Sequence, residues 1–133
     1  MRIVIIVNKS LPPGLIANTT AVLGISLGQM DMNILGPDLL DASQVLHRGI
    51  TQKNIPVLSS DSPGLKRIYE KAGQAKDITM IDFNTLAQKS RHYDDYQPKL
   101  AACPTQDLEF SGLCMLGPDK IINSITGSMG LYR

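Results

Sequence analysis

The sequence predicts an α/β fold: a three-layer sandwich with a four-stranded, mostly parallel sheet of mixed pairing and helices on both faces. Three observations carry this. Residues 3–7, IVIIV, are β-branched throughout with no polar alternation, the pattern of a central strand covered on both faces. Strand-like and helix-like segments then alternate to the end of the chain. The 133 residues are 43% hydrophobic and 19% charged, enough apolar matter for one core and too little charge for disorder. A single domain over residues 1–133 is expected.

Each element has its local reason. After IVIIV, Pro12 and Pro13 suit the first turn of a helix, where a missing N–H has no intrahelical partner to lose. Ser10 stands nearby as a candidate cap. This helix should run to Gly28. Its small residues Ala17, Ala21, Gly24 and Gly28 fall on one face, and the spacing predicts close packing against the sheet or a neighbour. Residues 29–54 are weakly periodic, with a turn at Gly36-Pro37 and a short helix expected over Asp41 to Leu46. IPVLS, 55–59, reads as the second strand. Ser62-Pro63 then caps a helix whose apolar residues are Leu65, Ile68, Tyr69, Ala72 and Ala75. ITMIDF, 78–83, reads as the third strand. The polar stretch 85–102 is expected to be helical in pieces, interrupted near Pro98. LCML, 113–116, is the fourth strand, and Gly117-Pro118-Asp119 opens a last helix that stops at Gly127.

Composition excludes several functions. A net charge of +1 provides no general field for nucleic acid or an anionic membrane, and with no Trp and 5% aromatics a base-stacking platform is not expected. Cys103 and Cys114 form no disulfide framework and no metal-ligand spacing, so neither a metal nor another cofactor is expected. Cys114 lies in an apolar run and reads as a buried small hydrophobe. The apolar run after Arg2 is too short for a membrane span, and a cytoplasmic protein is expected.

Two ends of the chain carry a resemblance. The start, RIVIIVNKSLPPGLIAN, and the end, LCMLGPDKIINSITGSMGLYR, resemble the type II peptidyl-tRNA hydrolases, at Gly117, Pro118, Thr126, Gly127, Leu131 and Tyr132 in particular. A resemblance over most of the length links the chain to an uncharacterised bacterial family, a domain of unknown function, near those hydrolases in fold. It rests on LPPGLIANTTAVL, on His47, Gly49 and Ile50, on IPVL, on Tyr93 and Tyr96, and on TGSMGLYR. The hydrolase resemblance implies that fold and a homodimer. It also implies a catalytic lysine and aspartate, yet Leu15 stands where the lysine would be and Ala101 where the aspartate would be, with Thr105 retained. Leu and Ala neither transfer protons nor stabilise charge, so peptidyl-tRNA hydrolysis is not expected and tRNA is not an expected partner. Lys9, in a turn shorter than the hydrolases', is the one route to a relocated lysine.

The candidate ligand site is the junction of first strand and first helix, with Asn8, Lys9, Ser10, Asn18, Thr19 and Thr20. A helix N-terminus favours a negative group there, Lys9 adds a charge, and the others supply hydrogen bonds. The ordinary alternative is that Asn8 and Ser10 only satisfy turn and cap groups. His47 with Asp41 is a second candidate, as an acid–base pair if the backbone brings the two together. Asp94-Asp95 reads as a solvated face, and neither Ser10 nor Ser43 has a nucleophile's context. Three readings compete: a hydrolase-like frame rebuilt for a small polar or anionic ligand, a peptidyl-tRNA hydrolase with displaced catalytic groups, and a non-catalytic interaction module.

Overall fold

The first strand, β1 (Arg2–Asn8), is buried from Ile3 to Asn8. Its side chains alternate between two cores, as strand geometry requires. The computed structural model describes residues 1–31 and 33–133. After β1 come α1 (Pro13–Met30), a hairpin of β2 (Leu39–Leu40) and β3 (Leu46–His47), β4 (Val57–Ser60), α2 (Ser62–Gly73) and β5 (Thr79–Asn84). The chain continues through α3 (Thr85–Lys89), α4 (Tyr93–Ala101), a 3-10 turn (Thr105–Asp107), β6 (Phe110–Gly117) and α5 (Asp119–Thr126).

The main sheet has the order β4-β1-β6-β5, so β1 is an inner strand, as its apolar run predicts. Only β1 and β4 pair in parallel, while β6 runs antiparallel to both β1 and β5. The sheet is therefore mixed, and "mostly parallel" holds for strand directions but not for neighbouring pairs. On one face Ile3, Ile5 and Val7 pack with Ile16, Leu23 and Leu27 of α1. On the other, Val4 and Ile6 pack with Leu65 and Ile68 of α2 and Ile122 of α5. Helices thus cover both faces. Among the described residues no helix is long and apolar enough to cross a membrane.

Several local expectations are corrected. Asp41 to Leu46 is not a helix but the turn and start of a β-hairpin. The Asp41 carboxylate accepts the amides of Ser43 and Val45, and Gln44 takes φ 65°. An Asp that binds its own downstream amides favours a turn over a helix. The small-residue face of α1 points outward. Ala17, Ala21, Gly24 and Gly28 are exposed, and open space lies where a Cβ would stand on Gly24 or Gly28. The close approach comes from the strand instead, since a Cβ on Gly112 would lie 2.6 Å from Thr19 Cγ2. Asp61, not Ser62, caps α2 by accepting the Gly64 amide at 2.8 Å. Ser10 does not cap α1, whose N-cap residue is Pro12. Helices α3 and α4 break at residues 90–92 rather than at Pro98, which lies inside α4. Helix α5 ends at Gly127 in a right-handed conformation, without the left-handed glycine turn.

Candidate functional site

The expected junction forms where β1 ends and α1 begins. Asn8 is buried there, and all of its side chain is engaged. Its Nδ2 donates to Ser62 Oγ at 3.0 Å and to the Phe110 carbonyl at 3.3 Å. Its Oδ1 accepts the Ser10 amide at 3.1 Å and the Ser10 hydroxyl at 2.7 Å. Asn8 therefore clamps β1, α2 and β6 together. Lys9 is exposed, and its amide donates to the Ser60 carbonyl at 3.0 Å. The first turn of α1 has few amides to offer an anion, because Leu15 and Ile16 both bond the Pro12 carbonyl and Pro13 has no N–H.

The topology adds a feature that spacing alone could not display. Parallel neighbours β1 and β4 send their helices to opposite faces, α1 to one and α2 to the other. Ligands of open α/β sheets bind in the crevice outside the carboxyl ends of strands at such a switch point. The two loops bring Lys9 and Ser10 beside Ser60, Asp61 and Ser62.

The rest of the expected set divides. Thr19 is fully buried; its hydroxyl donates to the Leu15 carbonyl at 2.7 Å and accepts Gln88 Nε2 at 3.3 Å. Gln88 Oε1 in turn accepts the Ser111 hydroxyl at 2.8 Å. Asn18 is exposed, and Thr20 spends its hydroxyl on the Ala17 carbonyl. Thr105 lies on the α2 side, by a hollow of about 280 Å³ shared with Lys66, Tyr69 and Glu70. Leu15 and Ala101 are both exposed, Ala101 as the last residue of α4. Gln88 and Ser111 extend the Thr19 hydrogen bonds, and sequence spacing does not link the three. Ser111 left a signal, a lone hydroxyl in the otherwise apolar β6; Gln88 left none.

His47 and Asp41 do meet, with His47 Nε2 2.9 Å from Asp41 Oδ2. The hydrogen bond to His47, helped by the Val45 and Ser43 amides, holds the Asp41 carboxyl below its usual range. The pair is exposed on the hairpin arm. A hollow of about 640 Å³ lies beside it, walled by Leu39, Leu46, Ile50 and others. The arm returns to the sheet at Lys53, beside Met1 and Arg2, so it is rooted at the end of β1 opposite Lys9. These two candidates do not form one site. Among the described residues no group of three or more His, Cys, Asp or Glu is placed to hold a metal ion.

A mixed four-stranded sheet between two helical layers, with parallel neighbours whose helices leave to opposite faces, defines an α/β sandwich. The chain belongs to the DUF2000 family, proteins of unknown function, whose model matches residues 1–133. It is similar to the solved structure of Atu0240 from Agrobacterium tumefaciens C58, itself a protein of unknown function. The TM-score is 0.89 at 19% identity, covering 99% of this chain and 97% of that one. At that identity the likeness shows a shared fold. No curated protein matches the chain.

Proposed function

We propose that the protein binds a small polar or anionic ligand in the crevice between the β1–α1 and β4–α2 loops. The observation that carries this reading is the switch point itself, where an exposed lysine, Lys9, stands with the hydroxyls of Ser10, Ser60 and Ser62. Among the described residues Lys9 belongs to no ion pair, so its charge is available to a ligand. Asn8 fixes the floor. Thermal-shift titration with inorganic phosphate, pyrophosphate and small carboxylates tests the reading. At least one should stabilise the wild type in a saturable way, by about 2.7 kcal/mol at a hundredfold excess over Kd. Lys9→Ala should remove most of that shift; an equal shift in Lys9→Ala would move the site elsewhere.

The finer fold assignment belongs to the same proposal: a type II peptidyl-tRNA hydrolase-like frame without its catalytic pair. Leu15 and Ala101 support it, since neither can act on an ester. Wild-type protein should not turn over N-blocked aminoacyl-tRNA. Robust turnover lost in Lys9→Ala would establish the relocated lysine instead.

A homodimer is the third part, and the hairpin arm is the surface that favours it. Leu35, Leu39, Leu40, Val45, Leu46 and Ile50 are all at least half exposed there. The arm's acidic groups are already paired within it, Asp38 with Arg48 and Asp41 with His47. The outward face is thus apolar, and its Asp38 and Asp41 carboxylates are already hydrogen-bonded within the arm, a surface that a second identical copy can cover.

A further inference from the structure

A groove of about 400 Å³ opens where α1, the edge strand β5 and the α3–α4 connection meet. It shares no residue with the ligand site proposed at Lys9. Val22, Ile81 and Phe83 give it an apolar lining, continuous with the core under α1. Arg91, Tyr93 and Tyr96 line it from the α3–α4 connection and α4. The volume falls at the lower end of the range for small-molecule sites.

The charge offered to the groove has one sign. Asp82 alternates along β5 with Ile81 and Phe83, whose side chains face α1, so its carboxylate turns to the sheet's other face. Burial raises the Tyr69 hydroxyl of α2 on that face, and the Asp82 charge adds to the rise. Asp94 and Asp95 belong to α4 but not to the lining. Arg91 is exposed and takes part in no ion pair among the described residues. Its guanidinium is the one permanent charge left to the groove. The aromatic side is held in place. Asn84 is fully buried; its Nδ2 donates to Tyr96 Oη at 3.0 Å, and its Oδ1 accepts the Ala87 amide at 3.0 Å and so caps α3. Tyr93, itself exposed, meets Tyr96 edge-on with ring centroids 5.6 Å apart.

One unpaired guanidinium beside an apolar and aromatic lining suits a ligand with one negative group and an apolar body. A cation would meet Arg91 with like charge, and a multiply charged anion would find no second permanent cation. A carboxylate matches the planar fork of a guanidinium with two parallel hydrogen bonds. We infer that this groove binds a small organic carboxylate with an apolar, ring-sized body, its carboxylate on Arg91 and its body against Val22, Ile81, Phe83 and the tyrosine rings.

Calorimetric titration with 3-phenylpropanoate, 3-phenylpropanamide and acetate tests this. The aromatic acid should bind the wild type, and its amide should bind at least about tenfold more weakly, the loss expected for a charge-assisted hydrogen bond. Acetate, which lacks the body, should bind more weakly still. Arg91→Gln should abolish the preference for acid over amide, and Tyr93→Ala should weaken acid and amide by the same factor. Both side chains are exposed, so both variants retain the fold. No binding of 3-phenylpropanoate at millimolar concentration would overturn the inference. Equal binding of acid and amide by the wild type, or the wild-type preference retained in Arg91→Gln, would overturn it as well. Lys9→Ala should leave this binding unchanged; a loss there with none in Arg91→Gln would place the carboxylate at Lys9 and overturn the assignment to this groove.

Discussion

Gly112 occupies a point where a methyl group has no room: a Cβ there would lie 2.6 Å from Thr19 Cγ2 and 3.0 Å from the Ile6 carbonyl. The backbone oxygen cannot yield without moving β1, so Gly112→Ala should destabilise by about 1–3 kcal/mol in urea denaturation, as overpacked core substitutions do. Two residues on, burial pushes the Cys114 thiol up to about 12. The thiolate is the reactive form, so at neutral pH a disulfide reagent should modify Cys103 in the native protein and both thiols only after unfolding. Rapid loss of both thiols without unfolding would contradict the burial. The sequence marked Cys114 as a core residue because its neighbours are all apolar. It also marked Asn8, as a ligand contact, yet the folded chain uses up its hydrogen bonds on Ser62, Phe110 and Ser10. A polar residue at a strand end looks the same in sequence whether it serves a ligand or the fold.

Helix α1 carries no charge: none of the 18 residues from Pro13 to Met30 is ionisable. Its exposed glycines carry the helix penalty without a contact to offset it. Gly24→Ala and Gly28→Ala should each stabilise the chain by about 0.5–1 kcal/mol in urea denaturation, since the added methyl meets only open space. Destabilisation would mean that another surface covers this face. The arm, residues 31–54, behaves differently. The Lys53 ammonium, with the Asn33 amide, holds the Asp31 carboxyl below its usual range, as His47 does for Asp41. A carboxyl depressed in the folded state contributes stability above its unfolded pKa, near 3.8 for both, and that stability is lost as pH falls through the folded value. Hydrogen exchange in residues 31–54 should therefore accelerate below this range before it does in β1 or β6. Simultaneous loss across the sheet would show that these pairs do not hold the arm.

On the scale of the molecule, the apolar arm and Lys9 lie at opposite ends of β1, so the proposed ligand site stays open when the arm is covered. Light scattering should give twice the 14.5 kDa mass of one chain, and Leu39→Asp with Leu46→Asp should return a monomer with its far-ultraviolet spectrum intact. A monomer mass for the wild type at millimolar concentration would end this proposal. Such a dimer would also stabilise the arm, since a two-stranded ribbon by itself is marginal in water.

What the sequence by itself determined is the set of elements that depend on neighbours along the chain. IVIIV could only be an inner strand, because an unbroken β-branched run has no face to give to water. The alternation of runs fixed a layered α/β arrangement, and Pro13 and Asp119 marked helix starts through local backbone chemistry. Tertiary structure decided everything that depends on direction and distance. It turned the small face of α1 outward, because Ile16, Thr19, Leu23 and Leu27 form the face that fills the space over the sheet. It brought His47 to Asp41 through a hairpin set by Asp41's own hydrogen bonds to downstream amides. It also set β5 at an edge, far along the chain from α1, where Val22, Arg91 and the tyrosines come to share one groove. No spacing rule reaches across those separations, because the contacts depend on strand order, which is settled by which surfaces the folded chain can bury together.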